Sequence, residues 1–267
     1  MADPGLRVEP QDDGRIVRLV IDRPARGNSL DAPLLEAVER ALGEAERAGA
    51  RAAILTGEGE KSFSTGYDIE ALVAELSSGR SVQDLEGHPL ERALRAIDGS
   101  ALPVIAAVNG AAFGAAFEIA TACDFRLAVA SARFVMPPAR LGLLYSHTGL
   151  ARFLHVVGLP ATKRIFLAAE PVDAGAALAL GLVQAVLEDR AALDAGALAL
   201  ARRLAANAPL AVAATKRVLH RHLLPRRLSP EEEREIADLR GVLFASQDLA
   251  EGLAAALEKR EPRFEGR

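Results

Sequence analysis

A chain of 267 residues, half hydrophobic and a quarter charged, can bury a full core, and no Ser/Gly-rich or proline-rich linker divides it. A net charge of -4 and a pI near 5.8 give no bulk attraction to nucleic acid or to an anionic membrane, so any anion site has to be local. The single cysteine, Cys123, excludes an internal disulfide framework; with no long apolar run and no signal-like N-terminus, a cytoplasmic protein is expected, away from membranes.

In chain order, Leu6 to Glu9 and Ile16 to Ile21 flank Asp12-Asp13-Gly14, a hairpin signal. Asp31 is placed to cap an amphipathic helix ending near Gly49, with Leu34, Leu35, Val38 and Leu42 on one face. A strand over Ala52 to Thr56, a glycine-containing loop, a helix from Pro89 to Ile97 and a strand over Val104 to Val108 follow. This alternation predicts crossover units around mostly parallel strands, an α/β fold. Phe125 to Ala130, Phe134 to Met136 and Val183 to Leu187 read as further short strands. Four helices are expected in the tail: Ala191 to Ala206, Pro209 to Leu224, Pro230 to Ser246 and Leu249 to Arg260. Pro225 to Arg227 would break the second of these, and Ser229 would cap the third. Their alanine- and leucine-rich faces suit either the main domain or a neighbouring subunit.

Two segments carry the chemistry. Phe63-Ser64-Thr65-Gly66-Tyr67-Asp68-Ile69 and Asn109 through Glu118 each follow a strand with small residues and lead toward a helix. Unpaired backbone N-H groups at two such junctions could hold one carbonyl oxygen, as an oxyanion hole does. Tyr67 and Ala115 are the candidate donors, each after a glycine, Gly66 and Gly114, that permits close approach. Helix packing alone would also account for either glycine. Glu118 lies about one turn beyond Ala115, so its carboxylate is a general acid/base candidate; an ordinary glutamate in a first helical turn is the alternative. Tyr145, in a glycine-flanked loop, is either a cleft phenol or a structural tyrosine. His147 nearby could titrate near physiological pH, and a solvated loop histidine is the alternative. His88, His155, His220 and His222 form no ligand set with Cys123, so no metal site is expected, and no glycine-rich nucleotide motif is present.

Ile21-Asp22-Arg23-Pro24 with Asn28-Ser29-Leu30, Ile54 through Ile69, Val104 through Asp124, and Glu251-Gly252 with Leu257 to Arg260 together resemble the crotonase superfamily, also called the enoyl-CoA hydratase/isomerase family, over almost the whole chain. The resemblance implies a crotonase-like spiral of ββα units with a C-terminal helical trimerisation region, divided here as residues 1–200 and 201–267. It implies an acyl-CoA thioester substrate, no separate cofactor, and a homotrimer or a hexamer of paired trimers. It places the thioester carbonyl on the N-H groups of Tyr67 and Ala115, the adenine end near Ser64, Gly66, Asp68, Ile69 and Glu70, and Lys259 at the nucleotide end.

Hydratases of this family use two glutamates. Glu118 falls on the first, and the second would fall at Pro138, beside Pro137, where no proton can be carried. Gly-Ala-Phe-Glu-like Ala115 to Glu118, Leu141 to Tyr145, and Leu257 to Phe264 are similar to the methylmalonyl-CoA decarboxylase branch, in which a histidine stands in the place of Tyr67. The resemblance therefore implies decarboxylation of a methylmalonyl-CoA-like thioester, with Tyr145 orienting the carboxylate. An enoyl-CoA hydratase or isomerase using Glu118 as sole acid/base is the first alternative; an inactive acyl-CoA-binding assembly protein is the second.

Overall fold

The computed structural model describes residues 5–77, 87–223 and 229–267, without the side chains of 74–77 and 222–223. Strands β1 (Leu6–Gln11) and β2 (Ile16–Ile21) form the expected hairpin, and Asp12, Asp13 and Gly14 all take positive φ in its turn. Helix α1 (Ala32–Arg47) then crosses to β3 (Ala52–Gly57). Its start is fixed by Asp31, whose side chain accepts the Leu34 N-H at 3.0 Å. Leu34, Leu35, Val38 and Leu42 turn inward, as their spacing requires.

After β3 come β4 (Ser62–Ser64), α2 (Ile69–Ser77), α3 (Pro89–Gly99), β5 (Val104–Val108), β6 (Ala111–Phe113), α4 (Ala115–Ala122), β7 (Phe125–Val129) and β8 (Arg133–Val135). Helix α5 (His147–Leu167), β9 (Val172–Asp173), α6 (Ala174–Ala179) and β10 (Ala185–Leu187) complete the core. One sheet runs β1-β2-β3-β5-β7-β10 and is parallel beyond its first pair; a second runs β4-β6-β8-β9. The expected α/β fold of crossover units is present. Buried on both faces, β3 and β5 have no polar alternation, which is why they read as plain apolar runs.

The second sheet corrects one expectation. The two chemistry-bearing segments do not leave β3 and β5 directly, because the three-residue strands β4 and β6 intervene; the helix expected beyond the first segment is α2. Two buried asparagines hold this step between sheets. Asn109 Oδ1 accepts the Gly57 N-H at 3.0 Å, and its Nδ2 donates to the carbonyls of Gly59 and Ser62. Asn28 Nδ2 donates to the carbonyls of Glu58 and Ser62, both at 2.9 Å. Gly57 and Gly110 have no room for a Cβ: it would lie 2.4 Å from the carbonyl oxygens of Phe63 and Lys61, respectively.

In the tail, α7 (Arg190–Ala206) packs on β3, β5 and β7, so the boundary expected at residue 200 falls inside a core helix. Helix α8 (Pro209–Leu223) is anchored by the buried Lys216, whose Nζ donates to the carbonyls of Ile97 and Leu102 and pairs with Asp124 at 2.7 Å. Leu224 and the expected break at Pro225 to Arg227 lie outside the described residues. Ser229 forms a capping box with Glu232 at the start of α9 (Pro230–Phe244). Ser246, expected within that helix, instead caps α10 (Gln247–Glu258). Helix α10 seats on its own chain at the short turn Pro138–Leu141, where a Cβ on Gly252 would meet the Leu141 carbonyl at 2.7 Å.

Phe117, Phe134, Phe153 and Phe166 form an aromatic group behind α4, with Phe153 edge-on to both Phe117 and Phe166. Phe153 is fully buried. Phe153→Ala is expected to cost about 3–5 kcal/mol in urea unfolding; a loss below about 1 kcal/mol would show that this group does not hold α5 to α4.

Candidate active site

Between β4 and α2, Gly66 has φ of +90°, and a Cβ on it would lie 2.4 Å from the Phe113 carbonyl and 3.6 Å from the Ala115 nitrogen. Only glycine allows both the dihedral and the contact. The two segments therefore meet backbone to backbone, bringing Tyr67 and Ala115 to the same place. The Leu30 N-H donates to the Gly66 carbonyl at 2.8 Å and the Asp68 N-H to the Leu30 carbonyl at 2.9 Å, which clamps Tyr67 between them. On the other side, the Gly114 N-H donates to the Val135 carbonyl at 2.8 Å, and Ala115 opens α4, where a first-turn N-H has no intrahelical acceptor.

The remaining expected binding residues divide. The fully buried Ser64 accepts the Gly66 N-H at 3.1 Å, and Asp68 Oδ1 accepts the N-H groups of Glu70 and Ala71 while its Oδ2 pairs with Arg26. These side chains shape the segment; Ile69 and Glu70 form the first turn of α2. Pro137 borders the second segment, with its Cδ 3.7 Å from where a Gly114 Cβ would sit, and Pro138 is buried in the following turn. Lys259 is exposed at the C-terminal end of α10. The Tyr67 ring lies against His88, with centroids 5.5 Å apart.

All of α4 is buried, including Glu118 at 2% exposure. Tyr145 donates its hydroxyl to Glu118 Oε2 at 2.5 Å, so the two expected site residues form one unit. Gly149 makes room for it: a Cβ there would lie 2.6 Å from both Glu118 Oε1 and the Tyr145 ring. Burial raises the Glu118 carboxyl from its ordinary 4.5 to about 7, against the opposing charge of Arg152 and the Tyr145 hydrogen bond, while Glu91 and Asp98 push it up further. Burial, with the Glu118 charge behind it, likewise raises the Tyr145 phenol well above its usual value.

Arg152, Asp98, Glu91 and Gly149 were not singled out from the sequence. An arginine beside Phe153 in an apolar helix is the one local signal that could have pointed to them. Among the described residues no cluster of three or more potential ligands could hold a metal.

The folded chain holds the Glu118 proton more tightly than the unfolded chain, so ionising it opposes folding as pH rises from about 4.5 to about 7. Glu118→Gln is therefore expected to match the parent in stability near pH 4.5 and exceed it by about 3 kcal/mol above pH 7. Denaturant titrations across this range test it; a difference independent of pH would refute the raised carboxyl.

A family model described as enoyl-CoA hydratase/isomerase matches residues 11–267. The short-chain-enoyl-CoA hydratase of Clostridium acetobutylicum is 34% identical over 257 residues, covering 94% of each chain. The methylmalonyl-CoA decarboxylase of Escherichia coli is 32% identical, covering 90% of each. Among solved structures, a methylmalonyl-CoA decarboxylase complexed with 2S-carboxypropyl CoA superposes over the full length of both chains with a TM-score of 0.92 at 29% identity. An enoyl-CoA hydratase/isomerase from Pseudoalteromonas atlantica gives 0.79 at 31% identity. On the match across its length and on the shared architecture, the chain belongs to the enoyl-CoA hydratase/isomerase family.

Proposed function

We propose that the protein decarboxylates a short, branched malonyl-type CoA thioester, as the similarity to methylmalonyl-CoA decarboxylases suggests. The observation that carries this reading is the site's single proton-handling unit, Glu118 with Tyr145, next to a turn in which Pro138 offers no second carboxylate. Adding water across a double bond in the two-glutamate manner needs a group at each end of that bond. Losing CO2 needs only a place for the enolate charge and one proton afterwards.

In the proposed reaction the thioester carbonyl accepts the Tyr67 and Ala115 N-H groups. The bond from the α-carbon to the carboxylate breaks, its electron pair enters the thioester enolate, and CO2 leaves. The α-carbon then takes one proton. Glu118, raised to about 7, is protonated in a large fraction of molecules at neutrality, which supports it as the source in this reading. The Tyr145 hydroxyl has one proton to donate, and turning it from Glu118 to the arriving carboxylate would orient that group while Glu118 stays neutral. In this reading Tyr67, whose ring packs on His88, would border the acyl group.

Incubation with methylmalonyl-CoA should release CO2 with one solvent hydrogen incorporated at the α-carbon. Glu118→Gln should retain CO2 release to within about tenfold while losing the single configuration of deuterium incorporated from D2O. Crotonyl-CoA hydration without CO2 release, abolished in Glu118→Gln, would instead establish a hydratase. CoA-thioester binding without turnover would establish a binding protein.

We also infer a homotrimer, alone or paired into a hexamer, from the family likeness; apolar residues that α8 and α9 leave exposed, among them Leu210 at 85% and Val242 at 70%, supply surface for such contacts. Light scattering should give three or six times the chain mass; a monomer would refute it.

A further inference from the structure

Helix α5 brings Arg152 against Glu118 in an arrangement that the reaction above does not use. The Arg152 Nη1 donates to Asp98 Oδ1 at 2.8 Å, while its Nε faces Glu118 Oε1 at 3.9 Å. These last two atoms are both buried, and among the described residues neither has a hydrogen-bond partner. Opposite charges so placed attract strongly where water is excluded, yet at 3.9 Å they share no proton. The carboxylate thus gains the field of a cation while Oε1 keeps its lone pairs for another proton.

Other charges act on the same carboxyl. Tyr145 hydrogen-bonds Oε2 from the loop before α5, and Glu91 and Asp98 add negative charge from α3. Glu91 is itself engaged, accepting the Thr148 hydroxyl at 2.5 Å. Asp98 faces Arg152, and also His220 of α8 at 3.7 Å, with Lys216 contributing positive charge. His220 in turn faces Asp124 at 3.4 Å. Asp98 therefore stands between the arginine that serves Glu118 and the helical tail.

We propose that Arg152 is a positioning residue that acts through Glu118, favouring its ionised form by an ion pair without a shared proton, and that Asp98 anchors the guanidinium and partly offsets that effect. The proposal deepens the reading of Glu118 as a proton-handling group and rests on that reading for its role in turnover. Its defining prediction concerns ionisation alone, so it can fail or stand separately from the reaction.

The test follows the Glu118 carboxyl by 13C NMR in protein labelled at glutamate, with Glu118→Gln assigning the resonance. Arg152→Gln should raise the titration midpoint by about one to three pH units, the span expected on losing an opposite charge at this distance. Arg152→Lys, which keeps a cation, should stay nearer the parent, and Asp98→Asn should lower the midpoint. Opposite shifts in folded variants are the diagnostic, since general loosening would move both the same way. A midpoint unchanged or lowered in Arg152→Gln, or shifts of one sign in both, overturns the proposal. If Arg152→Gln does not fold, Asp98→Asn decides: a lowered midpoint supports the proposal, and an unchanged or raised one overturns it.

Discussion

The architecture depends on backbone meeting backbone where the two sheets join. At Gly57, Gly66 and Gly110 a single added carbon would fall 2.4 Å from a carbonyl oxygen of the neighbouring segment. Such approach removes side-chain packing at the junction, and polar bonds have to replace it. Asn28 and Asn109 do so by spanning the turn between β3 and β4 with buried hydrogen bonds to four groups of that turn, the carbonyls of Glu58, Gly59 and Ser62 and the Gly57 N-H. Because the segments are fixed this closely, the backbone at Gly66 and Tyr67 lies beside that at Phe113 to Ala115. The junction thus holds the two segments in one rigid arrangement.

Behind that junction lies a second constraint, the burial of charge. Helix α4 sits wholly inside the protein, so the Glu118 carboxyl is raised by desolvation and restrained by Arg152 and Tyr145. The balance leaves it near neutrality, where one group can both hold and release a proton. The same buried polar layer reaches α8 through Asp98, His220, Asp124 and Lys216. The tail is thereby tied to the site by polar contacts, among them the buried Lys216–Asp124 ion pair, which would be costly to break. Helix α10 is tied sterically, by its glycine seat on the turn that contains Pro138. Residue 200 itself lies within α7, which packs on the core sheet.

Much was legible locally. The hairpin, the Asp31 and Ser229 caps, the apolar strands β3 and β5 and the tail helices each have a signal confined to a few neighbouring residues. Strands β4 and β6 do not, since three residues carry no periodicity, and they exist because they pair with each other across the chain. The candidate site divides in the same way. Gly66, Tyr67, Ala115 and Glu118 stand in recognisable segments, and Tyr145 in a recognisable loop. Arg152, Asp98 and Gly149 carry no such pattern, because their importance lies in what is opposite them.

Most of the elements, the two glycine-bearing segments, the family likeness and the proline where the resemblance puts a second carboxylate were thus open to reading along the chain. Folding alone reveals that Tyr145 and Glu118 share a hydrogen bond, that Arg152 faces the remaining carboxylate oxygen, and that Ser64 and Asp68 accept N-H groups of their own segment. The reason is physical. Helix caps, turns and periodicity act over a few residues of chain, whereas desolvation and ion pairing act through space, between groups brought together only by folding.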